Sequence, residues 1–585
     1  MNFDILKLAA GSLILAMGLQ VGTVQAETAA GQPSLILVES FEPEGNTLIS
    51  DKALEALFER YIGVWPIPAD EGVRISPAKL RTFLEAVLNF YLRLGHSGVY
   101  VYIPQESIAS QAPLSLRGNE LMLKIVEGRV KDFSASYKVQ RRWRPWRAAK
   151  EQPAASALPM PSEEKRASWV RRWNPIKVNE FVQKKQLEDF VDFLERHPGR
   201  SAAALVRKSE APAAVEVIGR DVAVDLRVLD MSPMTFYIQV NNTGSESTEE
   251  NRISVGFINN NLFGRDDIFN LNVQAAASKE LAENYSAFLS YNTPLWNPWW
   301  RFEIQAVYSE FESADILGAG TPFLGEGFVV GGELSFNLWQ RDGWFLDLFE
   351  TAELQNSKLQ TPFGFDSDLN LLDVGAGIRL ENNKGPYIAS YEAEFSYNLT
   401  DLLSLSPELD FTNSRFGAES GYYLFSLSGR HQRKLWKTLT FFQNFGASYS
   451  PDRLVSAREI SIGGLNTVRG YEEFEVLGDY GFFLSTEPRF SLNSFFSNWK
   501  LPVNADLIPL FFDIGSVWTN DTVAGEDAKK TIYSVGSGAR FYLDDFFFAR
   551  FYWGYALKKA GDDISKGGDT QDGDSRIHFD LSFRF

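Results

Sequence analysis

Apolar and polar positions along this chain change rhythm near residue 233: before it, helical spacings of three and four separate short alternating runs, and after it alternation at period two dominates. In the first region Ser76 is a good N-cap and Pro77 fits the first helical position. Leu80, Phe83, Leu84, Val87, Tyr91 and Leu94 then recur on one face before Gly95. A strand-like run from Leu35 to Phe41 and a helical stretch around Leu54, Leu57 and Tyr61 precede that helix. Strands over Val99–Ile103 and Leu121–Val126 follow it, the second with Leu121, Leu123 and Ile125 on one face. The order is β-α-α-β-β over residues 35–128.

A second unit of the same kind is predicted over residues 129–232. It has a strand from Val130 to Tyr137 and a helix with Leu187, Phe190, Val191 and Leu194, stopped by Pro198-Gly199. A last strand follows in which Val222, Val224, Leu226 and Val228 alternate with charged residues. Residues 140–174, rich in Arg, Trp, Ala and Pro and including Arg141-Arg142-Trp143 and Arg171-Arg172-Trp173, fit neither period and read as an insertion.

From residue 233 to 585 the alternation is sustained. Leu334, Phe336 and Leu338 alternate with Glu333, Ser335 and Asn337. Leu439, Phe441, Phe445, Ala447 and Tyr449 share one parity, as do Phe547, Ala549, Phe551, Trp553, Tyr555 and Leu557. At roughly 9–11 residues per membrane-crossing strand, this stretch holds about 16 antiparallel strands of an all-β transmembrane barrel. Tyr291, Trp296, Trp299 and Trp300 cluster around a Pro-marked turn, where an interfacial girdle belongs. Phe579, Leu581, Phe583 and Phe585 close the pattern.

The amino terminus sets the compartment. Lys7 precedes an apolar run from Leu8 to Leu19, and Val24-Gln25-Ala26 supplies small residues at a cleavage point, so residues 1–26 read as a signal peptide. After Ala26 no stretch is long and apolar enough for a membrane-spanning helix, while aromatic residues make up 14% of the chain, 46 of them Phe. An exported chain of that composition is expected to cross an outer membrane as a barrel. The net charge of −18 leaves no basic footprint for nucleic acid. The absence of cysteine removes disulfides and thiolate chemistry.

Two β-α-α-β-β units before a barrel resemble the periplasmic POTRA domains of transporters that move or insert unfolded chains. Ile462-Gly463-Gly464 followed by Val468-Arg469-Gly470-Tyr471 resembles the inward-folded extracellular loop of the POTRA–barrel superfamily. Phe511-Phe512-Asp513-Ile514-Gly515 is similar to its strand motif with an acidic partner. A lone guanidinium in a narrow lumen is poorly solvated, and a bidentate carboxylate fixes it, so Arg469 and Asp513 are expected to pair and latch a gating loop. Leu194-Glu195-Arg196-His197-Pro198-Gly199-Arg200, Asn241-Asn242-Thr243-Gly244-Ser245 and Asn261-Leu262-Phe263-Gly264-Arg265-Asp266-Asp267 resemble two-partner secretion transporters of the haemolysin secretion/activation family.

That resemblance implies a pore in outer-membrane lipid exporting an unfolded, adhesin- or haemolysin-like partner exoprotein captured by the POTRA units, without nucleotide or other cofactor. The terminal strand resembles the insertion signal of bacterial outer-membrane proteins, which implies handling by the barrel assembly machinery and gives Phe585 that role. Three features depart from the family pattern: a very short or missing N-terminal plug helix, the Arg/Trp-rich insertion, and Asp266 where Gly is usual.

Catalytic chemistry is not expected. His96, His197, His431 and His578 fall in different elements with no metal or triad spacing. Acidic clusters such as Glu246, Glu249 and Glu250, or Asp572 and Asp574, read as solvated loops. Gly463-Gly464 lacks the Lys and Ser/Thr of a phosphate loop. Two rivals to export stand beside it, an assembly factor of the same superfamily that inserts barrels and a passive porin.

Overall fold

The computed structural model describes residues 35–67, 71–111, 114–139, 161–208, 221–245, 248–277, 284–313, 323–360, 366–495, 504–561 and 570–585. The expected signal peptide, the residues just after it and the first part of the Arg/Trp-rich segment lie outside them. Two compact units divide the chain between Met231 and Ser232.

In the first unit, the strand Glu120–Glu127 is the middle of a three-stranded sheet. It runs parallel to Ser40–Glu44 and antiparallel to Val99–Tyr102. Helices Asp51–Tyr61 and Pro77–Arg93 come between these strands in sequence, the second capped by Ser76, whose hydroxyl accepts the Lys79 amide. Leu121, Leu123 and Ile125 share the core with Phe41, Phe58 and Phe83. The Phe41 and Phe58 rings stack with centroids 4.7 Å apart, and Phe83 meets Phe58 edge-on at 5.7 Å. Each such buried ring contributes about 1.5–3 kcal/mol.

Glu127 ends the middle strand inside the fold, 3% exposed. Its carboxylate accepts the Thr47 and Leu48 amides at 2.8 Å, the Tyr91 hydroxyl at 2.9 Å and the Thr47 hydroxyl. Burial by itself would raise its pKa, but these donors outweigh burial and hold it below the ordinary carboxylate range. The chain then passes through Gly128, whose amide donates to the Gly98 carbonyl at 3.1 Å.

The second β-α-α-β-β module has Asp221–Asp230 in the middle, parallel to Arg129–Val139 and antiparallel to Arg200–Lys208. Here the insertion reading needs correction. Residues Pro161–Trp173 form a helix that turns Ala167 and Val170 into the module's core, so this part of the stretch is the first described helix of the module. Pro161 starts it, Glu163 and Glu164 sit in its first turn and Arg171 and Arg172 in its last, matching the helix dipole. A narrow buried stripe bordered by long charged side chains hid the period. The second helix, Lys184–Glu195, is as expected. Beyond it Gly199 turns with φ +73° and aims Arg200 inward, where its Nε donates to Asp230 at 2.8 Å and an Nη to the Tyr137 hydroxyl at 3.0 Å.

In the second unit, sixteen described strands from Met234–Asn241 to Ser575–Arg584 pair antiparallel with their neighbours and close into a barrel. Closure runs through Tyr237–Asn241 against Asp580–Arg584. Phe236 and Phe585 extend it by exchanging backbone hydrogen bonds of 3.2 and 2.8 Å. Side chains alternate as the period predicted: Phe551, Trp553 and Ile577 are exposed on the outer surface, while Tyr552 and His578 are buried inside. Trp296 and Trp300 meet edge-on at 5.4 Å beside the turn after Asn284–Pro294. Asp266 has φ +66°, a left-handed conformation that suits the Gly usual there. Its carbonyl accepts an Arg301 Nη at 3.0 Å and its amide donates to Asn261 at 3.2 Å.

Candidate functional site

The segment between strands Leu439–Tyr449 and Tyr480–Ser491 turns into the lumen. It meets Glu353, Asp513, Tyr552 and His578, whose neighbours Leu354, Phe512, Phe551 and Ile577 are exposed on the barrel's outer face, and Glu487, whose strand exposes Phe482 at the opposite parity. Strand alternation therefore puts every one of these contacts inside. A hairpin of Ile460–Ile462 with Val476–Gly478 forms its stem. At the tip Gly463 and Gly464 have φ of +132° and +90°. The Thr467 hydroxyl accepts the Gly463 amide at 2.8 Å and donates to its carbonyl at 2.7 Å.

Arg469 is 3% exposed. Its Nε and one Nη donate to the two oxygens of Asp513, both at 2.8 Å, and its amide adds a third bond at 3.0 Å. The other Nη meets Glu487, and Ser485 accepts at 2.9 Å. The Phe511 and Tyr552 rings flank the guanidinium at 3.6 and 4.6 Å. Burial alone would depress its pKa, but Asp513 and Glu487 more than offset this, so the group is held as a cation.

The rest of the expected set gathers here. Val468 is fully buried against Gly515, where a β-carbon would stand 2.6 Å from Ile462 and 3.3 Å from Val468. Gly470 has φ +93° and packs on the backbone of Gly554. The Tyr471 hydroxyl donates to the Lys558 carbonyl at 2.6 Å. Phe585 is elsewhere, at the closing seam.

Several partners were not legible in advance. Glu487 also accepts Arg489 and the Tyr552 hydroxyl, at 2.6 and 3.2 Å. His578 Nε2 accepts the Gly470 amide at 3.2 Å, which places one of the four histidines against the inward loop. On the stem, Arg458 reaches a different wall, donating to Glu353 at 2.8 Å, to Asp373 and to the Tyr422 hydroxyl. Asp479, fully buried where the segment rejoins the barrel, accepts Arg415 at 2.6 Å and the Leu454 amide at 2.8 Å. Glu250, expected in solvent, accepts Arg576 at 2.9 Å, and Arg576 also bonds Glu472 of the loop. The available signal was parity: Ser485, Glu487 and Arg489 are alternate residues of one strand and share its inner face. Among the described residues no group of three or more His, Asp or Glu side chains is placed to hold a metal ion.

Comparison with known proteins agrees with this architecture. The profile of the family described as haemolysin secretion/activation protein ShlB/FhaC/HecB matches residues 221–323 and 394–541. The outer membrane transporter CdiB of Dickeya dadantii (strain 3937) is 21% identical over 432 residues, spanning 73% of this chain and 67% of that protein. The structure of CdiB from Escherichia coli superposes with a TM-score of 0.58 at 15% identity, covering 96% of this chain and 93% of that one. BamA from Haemophilus ducreyi lacking POTRA domains 1-3 gives 0.54 at 13% identity, covering 94% and 100%. At such identities the structural likeness speaks for the fold, and the profile match narrows the branch. With its β-α-α-β-β modules, sixteen-stranded barrel and inward loop, the chain resembles the haemolysin secretion/activation family, and the profile match and the CdiB relative support an outer-membrane POTRA–barrel transporter of the two-partner secretion kind.

Proposed function

We propose that the loop carrying Val468-Arg469-Gly470-Tyr471 is the gate of an export pore for an unfolded exoprotein, held shut by Arg469 on Asp513 and Glu487. The observation that carries this reading is a buried guanidinium shared by two wall carboxylates on the strands Asn504–Trp518 and Tyr480–Ser491. A chain threading the lumen has to displace that loop. The periplasmic modules take the exoprotein by lending strand edges, where main-chain bonding is indifferent to side chains. Arg129–Val139 is an edge strand whose outer backbone, between Lys131 and Lys138, makes no main-chain to main-chain hydrogen bond among the described residues, the Ala135 carbonyl accepting Arg171 at 3.3 Å.

The test is secretion of the product of a neighbouring large exoprotein gene from cells with the wild-type chain, with Arg469→Ala, or with neither. Export that needs the protein and falls with the substitution at unchanged barrel abundance supports the gate. A passive porin would conduct alike with either residue. The fold shared with BamA is compatible with a second reading, an assembly factor. On that reading, loss of the protein would leave the exoprotein secreted and lower the amounts of other outer-membrane barrels.

A further inference from the structure

Beside the latch lies a cavity of about 230 Å³ walled by Arg430, Arg469, Arg489, Arg540, Arg550 and Glu487 among others. Three of these arginines are paired: Arg469 with Asp513 and Glu487, Arg489 with Glu487, and Arg550 with Asp580 at 3.0 Å. Two are not. Arg430 makes no ion pair among the described residues. Arg540 rests against the Tyr542 and Phe548 rings at 5.7 and 5.3 Å, and its buried Nε has no hydrogen-bond partner. Asp506, its register partner across the sheet, makes no ion pair with it among the described residues.

A buried N–H donor without an acceptor costs about 1–3 kcal/mol, a cost that an anion drawn to Arg540 would offset. Guanidinium forks match carboxylate and phosphate oxygens two at a time. The cavity is too small for folded protein and roomy enough for the end of an acidic side chain. Glu487 stands on the same wall, already shared by Arg469 and Arg489, so an arriving carboxylate competes directly for the latch arginines.

We propose that this cavity is an oxyanion site that takes carboxylates of an extended acidic peptide and, by competing with Glu487, loosens the latch. The identification of the ligand as a peptide in transit rests on the export reading; the anion site rests on the cavity itself.

The experiment is calorimetric titration of the detergent-purified full chain with hexaglutamate, hexalysine and inorganic phosphate at fixed ionic strength. Hexaglutamate is expected to bind, at least tenfold more weakly to the double variant Arg430→Gln/Arg540→Gln, while Arg430→Lys/Arg540→Lys retains affinity within a few-fold. Hexalysine is expected not to bind. Equal hexaglutamate affinity in wild type and Gln variant, with the variant barrel still heat-modifiable on gels, overturns the site. If the Gln variant does not fold, loss of affinity in a folded Lys variant overturns it instead. Phosphate binding without hexaglutamate binding overturns the peptide as ligand. Binding is read on the isolated pore, so a protein that binds hexaglutamate as expected yet exports nothing contradicts the export reading alone.

Discussion

Gly470 of the loop and Gly554 of the wall meet backbone to backbone: a β-carbon on Gly554 would stand 2.5 Å from the Gly470 nitrogen. The His578 bond to that same nitrogen requires this approach. Gly554→Val is therefore expected to push the tip out of its seat while leaving the ion pairs chemically intact. Overpacking of this kind costs about 1–3 kcal/mol, shifting the closed-to-open ratio roughly five- to hundredfold. Single-channel recording in planar bilayers measures it; an opening frequency equal to wild type contradicts the seat.

Arg458 anchors the stem to Glu353 and Asp373, on strands separate from those that hold Arg469. The two anchors act on one loop from different walls. Arg458→Gln should lose about 1.5–3 kcal/mol of charged hydrogen bonding. Removing Arg469 leaves the buried Asp513 carboxylate without its cation, while Glu487 keeps Arg489, at a cost of about 3–5 kcal/mol. Opening should therefore rise less in Arg458→Gln than in Arg469→Ala and most in the double variant. A double variant indistinguishable from Arg469→Ala would mean the stem anchor holds nothing.

Glu473 lies under the tip, its carboxylate accepting the Leu465 amide at 2.8 Å. Burial pushes its pKa up to about 7, against the opposing pull of Arg550 and Arg576. The closed loop then holds a proton that a released, solvated loop gives up. Closure should strengthen as pH falls from about 7 toward the ordinary carboxylate range and level off below it. Glu473→Gln should flatten that dependence. Recording opening frequency between pH 5 and 8 decides the matter, and a slope that survives the substitution assigns it to another group.

In the periplasmic region Glu127 works with the opposite sign. Its pKa is held below the ordinary range, so its stabilisation is present above that range and lost as pH falls through the folded value. Glu127→Gln should cost about 1–3 kcal/mol at pH 7 and less at pH 3. Calorimetric melting of the full chain at both values checks this; equal destabilisation at both would place its role in packing.

Much of this architecture was visible along the chain because strand and helix periods are local. Ser76, Pro77 and the apolar face from Leu80 to Tyr91 specify their helix within a few turns. Phe551 and Trp553 point outward because neighbouring residues of a pleated strand must face opposite ways. The helix Pro161–Trp173 escaped because only Ala167 and Val170 of it are deeply buried, too narrow a stripe to set a period, although its charged ends announced it.

By itself the sequence determined the two regions and the strand parities, since each is a matter of spacing, while the pairing of Arg469 with Asp513 was an expectation carried by the resemblance of two motifs to a known family. Only the tertiary structure decided that Glu487, Tyr552, Gly554 and His578 gather around Arg469 and Gly470, that Arg458 reaches Glu353, and that the Arg540 Nε has no acceptor among the described residues. Parity tells which face a residue occupies. Its height in the lumen depends on the stagger of hydrogen-bonded register around the closed barrel, and that is settled only when Phe236 meets Phe585.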